Sequence, residues 1–169
     1  MKKTKALYVA TAGIIAAMYV VLTFVANAFG LANYAVQVRF SEALTILPAL
    51  TGASIPGLAV GCLLANILTG CALPDIIFGT LATVIGAFGT YALAKTKIKW
   101  LYPLPPIIAN TIIVPLVLIY GYGLCEEGKS ILFSFGFYAL TVCIGEVISC
   151  GILGLLLHGV LVKRFKDLF

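Results

Sequence analysis

Long stretches of this chain carry no charged residue. Ala6 to Val38, Ala43 to Pro74, Trp100 to Cys125 and Val147 to Val162 contain neither acid nor base. Runs of about 20 apolar residues are what a helix needs to cross ~30 Å of hydrocarbon. With no water in the bilayer core, each such stretch must satisfy its own N–H and C=O groups, and a helix does that within one segment. The composition agrees, at 62% hydrophobic and 10% charged, against about 25% charged in an ordinary soluble domain. The prediction is an all-α membrane protein forming one integral membrane domain over residues 1–169. The net charge of +5 does not imply nucleic acid. The basic residues cluster at the ends and in one loop, which is a topology signal in a membrane protein.

Breakers inside the apolar runs predict helices near 6–29, 40–51, 55–70, 75–94, 102–122 and 133–162. The stretch Ala43 to Pro74 is ambiguous: Pro48, Gly52, Pro56 and Gly57 interrupt it, so it reads as one broken pass or two short ones. The basic residues decide. With six passes, Lys2, Lys3, Lys5, Lys95, Lys97, Lys99, Lys163, Arg164 and Lys166 all fall on the cytoplasmic side, leaving only Arg39 and Lys129 outside. A single merged pass inverts everything downstream and moves the two later clusters outside, against the positive-inside rule. The expected architecture is therefore a compact bundle of six transmembrane helices with both termini cytoplasmic. The second and third helices are too short for the bilayer at about 1.5 Å per residue, so they leave a pit or lean heavily. The start of the chain mimics a secretory signal, with MKKTK, an apolar run and Ala26-Asn27-Ala28. Its apolar run is about twice the length of a cleaved core, so a retained helix is expected.

This topology sorts the charges. Glu42 opens the second helix and Asp75 the fourth, both at their outer ends. Glu146 precedes Lys163 by 17 residues, which places it roughly 25 Å above the cytoplasmic boundary. An ionisable group inside a span faces a cavity or a partner, which makes Glu146 the strongest single pointer to a site; pairing with Arg39 is its structural alternative. Asp75 follows Pro74 at a helix start, where a carboxylate also serves as a cap. Arg39 and Glu42, one turn apart, either bridge each other or reach a ligand. Gln37, Asn66 and Asn110 are neutral groups that bind a ligand or hold helices together, and the depth of Asn66 favours the ligand. Tyr34, Tyr120, Tyr122 and Tyr138 fit an aromatic belt, with Tyr138 a candidate to stack on a flat ligand. His158 reads as an interfacial residue.

The five cysteines show no CxxC or Cys/His spacing. They read as small packing residues, with a Cys143–Cys150 pairing the weaker option. No Walker A loop, HExxH or GxSxG appears, so neither an enzyme, a cofactor nor a metal site is expected. There is no inverted repeat with paired broken helices of the kind many secondary transporters use. A binding pocket without its own source of energy remains. The first helix offers a docking face for a partner: Ala6, Ala10, Gly13 and Ala17 form one small-residue row, and Ala12-x-x-x-Ala16 a second.

Together these features resemble the substrate-binding S component of an energy-coupling factor (ECF) transporter, and within that group the QueT family. The similarity is carried by QVRFSEALTILPALTG (Gln37–Gly52), IPGLAVGCLLANILTG (Ile55–Gly70) and LPDIIFGTLAT (Leu73–Thr83). The resemblance implies a small six-helix subunit of a bacterial plasma membrane that binds a vitamin-like molecule near the outer face. It would then dock, through Ala12 and Ala16 on the first helix, on an ECF transmembrane subunit driven by two ATPase subunits. The family's assigned substrates are queuosine precursors, 7-deazaguanine bases such as the 7-aminomethyl form or queuine. Such a ligand has an N–H and amine edge for one carboxylate and a cationic aminomethyl group for a second. Glu42, Asp75 and Glu146 supply the acids, and Asn66, Gln37 or Arg39 meet the ring carbonyl. Which acid takes which role stays open. The alternatives are an S component for another cationic vitamin-like molecule, a membrane enzyme, or a non-transport assembly subunit.

Overall fold

The computed structural model describes residues 5–30 and 38–164, and these contain helices and no strand. The helices are α1 (Lys5–Ala28), a 3₁₀ helix (Phe40–Ala49), α2 (Ser54–Leu68), α3 (Leu73–Leu93), α4 (Leu104–Leu116), α5 (Ile131–Glu146) and α6 (Gly154–Arg164). Helix α4 runs into a π-helical turn, Val117–Gly121, and a second π stretch, Val147–Leu153, joins α5 to α6 without a break. Four segments are long and apolar enough to span a bilayer: Lys5–Ala28, Leu73–Thr96, Lys99–Gly121 and Ile131–Arg164. Helix α2, at 15 residues, is shorter. The expected helix at 40–51 is the 3₁₀ element.

That element is unusual, because 3₁₀ runs beyond three or four residues are uncommon, whereas this one has 10. Its composition explains part of it: Pro48 lies inside and brings no N–H, and Thr45 Oγ1 bonds back to the Glu42 carbonyl at 2.6 Å. Rising about 2.0 Å per residue instead of 1.5 Å, ten residues reach roughly 20 Å rather than 15 Å. Every residue from Ser41 to Pro48 is buried. The element packs against α1, α2, α3, α6 and the second π stretch, and so forms the axis of the bundle. Positions three apart eclipse in a 3₁₀ helix, which sets Glu42 and Thr45 on one edge.

Around this axis α1 lies along α2, and α3 along α4. The first contact is close because α2 offers glycines. A Cβ on Gly57 would stand 2.7 Å from the Ala12 carbonyl oxygen, and one on Gly61 would stand 3.0 Å from the Ala16 Cα and 2.8 Å from the Tyr19 Cβ. Gly86 and Gly89 of α3 meet Pro106 and Pro105 of α4 in the same way. The apolar core gathers Ile15, Tyr19, Leu44, Ile46, Leu58 and Tyr102. Outside it, large apolar side chains such as Val9, Ile14, Phe88, Leu132 and Leu156 are exposed, as a lipid-facing surface requires and a water-facing one would not tolerate in such number. His158 is buried within the bundle, its ring edge-on to Tyr102 at 5.5 Å between centroids.

This packing redistributes the two rows of the first helix. Ala16 is buried and Ala12 half-buried, both against the α2 glycines, so that row is used within the bundle. Ala6, Ala10, Gly13 and Ala17 are exposed, and a Cβ on Gly13 would meet nothing within 4 Å.

Candidate functional site

A polar cleft enters the bundle where α1 and α2 end and α3 begins. Its mouth chamber, about 250 Å³, is lined by Thr23, Asn27, Arg39, Asn66, Thr69, Cys71, Asp75, Val114, Leu118, Tyr122 and Leu124. A floor chamber of about 20 Å³ lies deeper, lined by Arg39, Glu42, Asp75, Gly79, Thr83, Asn110, Val114, Val142 and Glu146. Arg39, Asp75 and Val114 belong to both and form a waist between them.

Each wall follows from local structure. On α3, Asp75, Gly79 and Thr83 recur every four residues and so share one face running from mouth to floor. The missing side chain of Gly79 matters there, because its Cβ would come within 3.3 Å of both Asn66 Nδ2 and Asp75 Oδ1. Asp75 sits in the first turn of α3, but the helix is capped at Ala72 without a side-chain bond. The carboxylate instead faces Arg39, with Nη2 to Oδ2 at 3.9 Å. Arg39 precedes the 3₁₀ helix in extended backbone, φ −100° and ψ 108°, which lets its side chain reach α3. The Arg39–Glu42 bridge and the Arg39–Glu146 pair therefore do not form; Arg39 pairs with Asp75. Asn66 is buried and donates to the Asp75 carbonyl at 3.3 Å.

The floor is acidic. Glu42 and Glu146, on the 3₁₀ helix and at the end of α5, are both buried. The Tyr19 hydroxyl donates to Glu42 Oε1, while Glu42 Oε2 is buried without a hydrogen-bond partner. The Cys150 thiol donates to Glu146 Oε2 at 2.9 Å, and Thr45 Oγ1, whose hydrogen goes to the Glu42 carbonyl, lies 3.3 Å from its sulfur. Glu146 stands where the helix widens into the π stretch, a distortion frequent at functional sites. Glu42, Glu146 and Cys150 bring ligand atoms within 4.8 Å of one another, a set whose two carboxylates suit a protonated amine as well as a metal ion. Cys150 lines neither chamber and supports Glu146 from behind, so it does more than fill space. All five cysteines are free.

Of the residues expected from sequence, Glu42, Asp75, Glu146, Asn66 and Arg39 converge on this cleft. Tyr138 does not: its hydroxyl points to Glu126 Oε1 at 3.4 Å, and it lines neither chamber. Gln37 and Tyr34 fall outside the described residues. Asn110, left open between ligand and packing, lines the floor, and Thr23, Thr83 and Tyr122 line the chambers without having been singled out; Tyr19 lines neither chamber but holds Glu42 from behind. For Tyr19 and Thr23 a signal existed, because Tyr19, Thr23 and Asn27 recur every four residues along one face of α1.

A helical bundle with a lipid-facing exterior, a polar cleft and buried carboxylates at its end defines a multi-pass membrane protein with an internal polar cleft. The particular family follows from comparison with known proteins: the QueT transporter model matches residues 9–163, and the chain belongs to that family. No match was found among curated proteins or solved structures. Family membership gives the chain a transport role with a small-molecule substrate, consistent with a place in the bacterial cell membrane.

Proposed function

We propose that the chain is the substrate-binding S subunit of an ECF-type importer and that it captures a queuosine precursor, a 7-deazaguanine base, from the extracellular side. The observation that carries this reading is the cleft itself, a polar two-chamber site ending on Glu42 and Glu146 inside a lipid-facing bundle. Its mouth chamber, about 250 Å³, lies just below the ~300–1,000 Å³ of typical ligand pockets, which suits a compact bicyclic base better than a nucleoside. At the waist Arg39 and Asp75 offer a donor beside an acceptor, the order that a ring carbonyl next to an N–H needs. In this reading the termini are cytoplasmic, the cleft opens outward, and residues 1–169 act as one domain.

Energy comes from partners: an ECF transmembrane subunit and two ATPase subunits. The exposed row Ala6, Ala10, Gly13 and Ala17 supports a docking face on α1, since small side chains let a foreign helix approach closely. Ala12 and Ala16 contribute by seating α1 on α2. Native mass spectrometry of the purified protein tests the substrate class through any co-purified ligand, followed by titration with 7-aminomethyl-7-deazaguanine. Saturable binding is expected. Saturation by another cationic vitamin with none by deazaguanines would favour a different S component, and turnover of a substrate would favour an enzyme.

A further inference from the structure

We infer that the cleft holds its substrate in one orientation, with a cationic amine in the floor chamber and the flat ring in the mouth chamber, and therefore selects the 7-aminomethyl form over the 7-cyano form. The inference rests on the deazaguanine reading above and adds to it which end of the molecule goes down.

Size divides the two chambers first. The floor, at about 20 Å³, is close to the ~10–15 Å³ that one water needs. It admits a single-atom head such as an ammonium nitrogen and excludes a ring. Only the mouth, about 250 Å³, has room for a bicycle.

Chemistry then assigns the head. The floor presents two buried carboxylates, Glu42 and Glu146, with the Asn110 amide beside them. Glu42 Oε2 is buried and accepts no hydrogen bond, and the Arg39 charge and the Asn110 amide near the carboxylate offset only part of its desolvation. A buried acceptor of this kind costs free energy until a donor arrives. An ammonium brings three N–H donors and a positive charge to two carboxylates. A nitrile brings only a lone pair, which faces those oxygens as acceptor against acceptor.

The rest of the molecule follows from its own connectivity. In a 7-aminomethyl-7-deazaguanine the aminomethyl group and the ring carbonyl project from the same edge. An amine at the floor thus brings the carbonyl to the waist, where the Arg39 guanidinium can donate to it. The neighbouring ring N–H then meets Asp75, which stands 3.9 Å from Arg39. The reverse orientation would place the ring's donor edge in a chamber too small to hold it.

Isothermal titration of the full-length protein in detergent or nanodiscs, with the aminomethyl, cyano and unsubstituted 7-deazaguanines, tests this. The aminomethyl form should bind about a hundredfold tighter than either other base. In Glu42→Gln, which can still accept from Tyr19, that gap should shrink to about tenfold or less. Equal affinity for the three bases in the wild type, or preference for the cyano form, overturns the inference while leaving the deazaguanine reading intact. Binding of none of the three removes that reading and the inference with it. Because the wild-type comparison is decisive alone, the test does not depend on the variant folding.

Discussion

Arg39 and Asp75 face each other across 3.9 Å at the waist of the cleft, one from the chain entering the 3₁₀ helix and one from the first turn of α3. Their side chains keep 24% and 15% exposure, so the pair is reachable from the mouth chamber rather than sealed in the core. An accessible pair of this kind contributes about 1 kcal/mol or less to stability. Its weight falls on the ligand instead. Asp75→Asn should lower affinity for the deazaguanine about tenfold, while the melting temperature moves by no more than a few degrees. Titration and a thermal melt on one preparation check both, and unchanged affinity would remove Asp75 from the site.

Tyr19→Phe isolates the support beneath the floor. It deletes the hydroxyl that donates to Glu42 Oε1, leaving a buried carboxylate with neither oxygen bonded to that wall. Leaving such an acceptor unsatisfied costs about 1–3 kcal/mol, so the variant should melt several degrees lower. A saturating amine-bearing ligand should recover part of that loss, since it binds only the folded state. An identical melting point for Tyr19→Phe and wild type would contradict the geometry.

The two faces of α1 should respond differently to bulk. Ala16→Leu drives a large side chain toward Gly61, so it should destabilise the protein and lower its yield. Gly13→Leu and Ala17→Leu project into open space and should leave folding and ligand affinity unchanged. If the exposed row docks on the transmembrane subunit, both should abolish uptake by the assembled transporter. Uptake that survives both substitutions would place the partner elsewhere.

Reconstituted alone in vesicles, the protein should bind ligand without concentrating it. Accumulation against a gradient in the absence of ATPase subunits would contradict the division of labour proposed above.

How much of this was legible in the chain depends on length scale. The spans announced themselves through uncharged runs, and the cost of charge in lipid singled out Glu42, Asp75 and Glu146. Pairing was not legible. Whether Arg39 meets Glu42 one turn away or Asp75 on α3 turns on the extended backbone at Arg39, which no periodicity encodes. The 3₁₀ geometry was hidden as well: Phe40–Ala49 reads as a short helix, and neither Pro48 nor the Thr45 back-bond announces a tighter winding over ten residues. Sequence spacing showed two small-residue rows on α1 but not which one faced the glycines of α2. Asn110 stayed ambiguous because a neutral amide in a span serves helix packing and ligand binding equally well.

The central claim is that the buried carboxylates of the floor exist for the ligand, and Glu146→Gln tests it most directly. Glutamine can still accept from the Cys150 thiol, and Arg39 keeps Asp75, so no charge is orphaned. The ligand, in contrast, loses a charge-assisted bond worth about 1.5–3 kcal/mol, or one to two orders of magnitude at about 1.4 kcal/mol per tenfold. Affinity and melting temperature measured on the same preparation should show binding weakened about ten- to hundredfold with the melt unchanged. A variant that melts early yet binds the aminomethyl base normally would contradict the account.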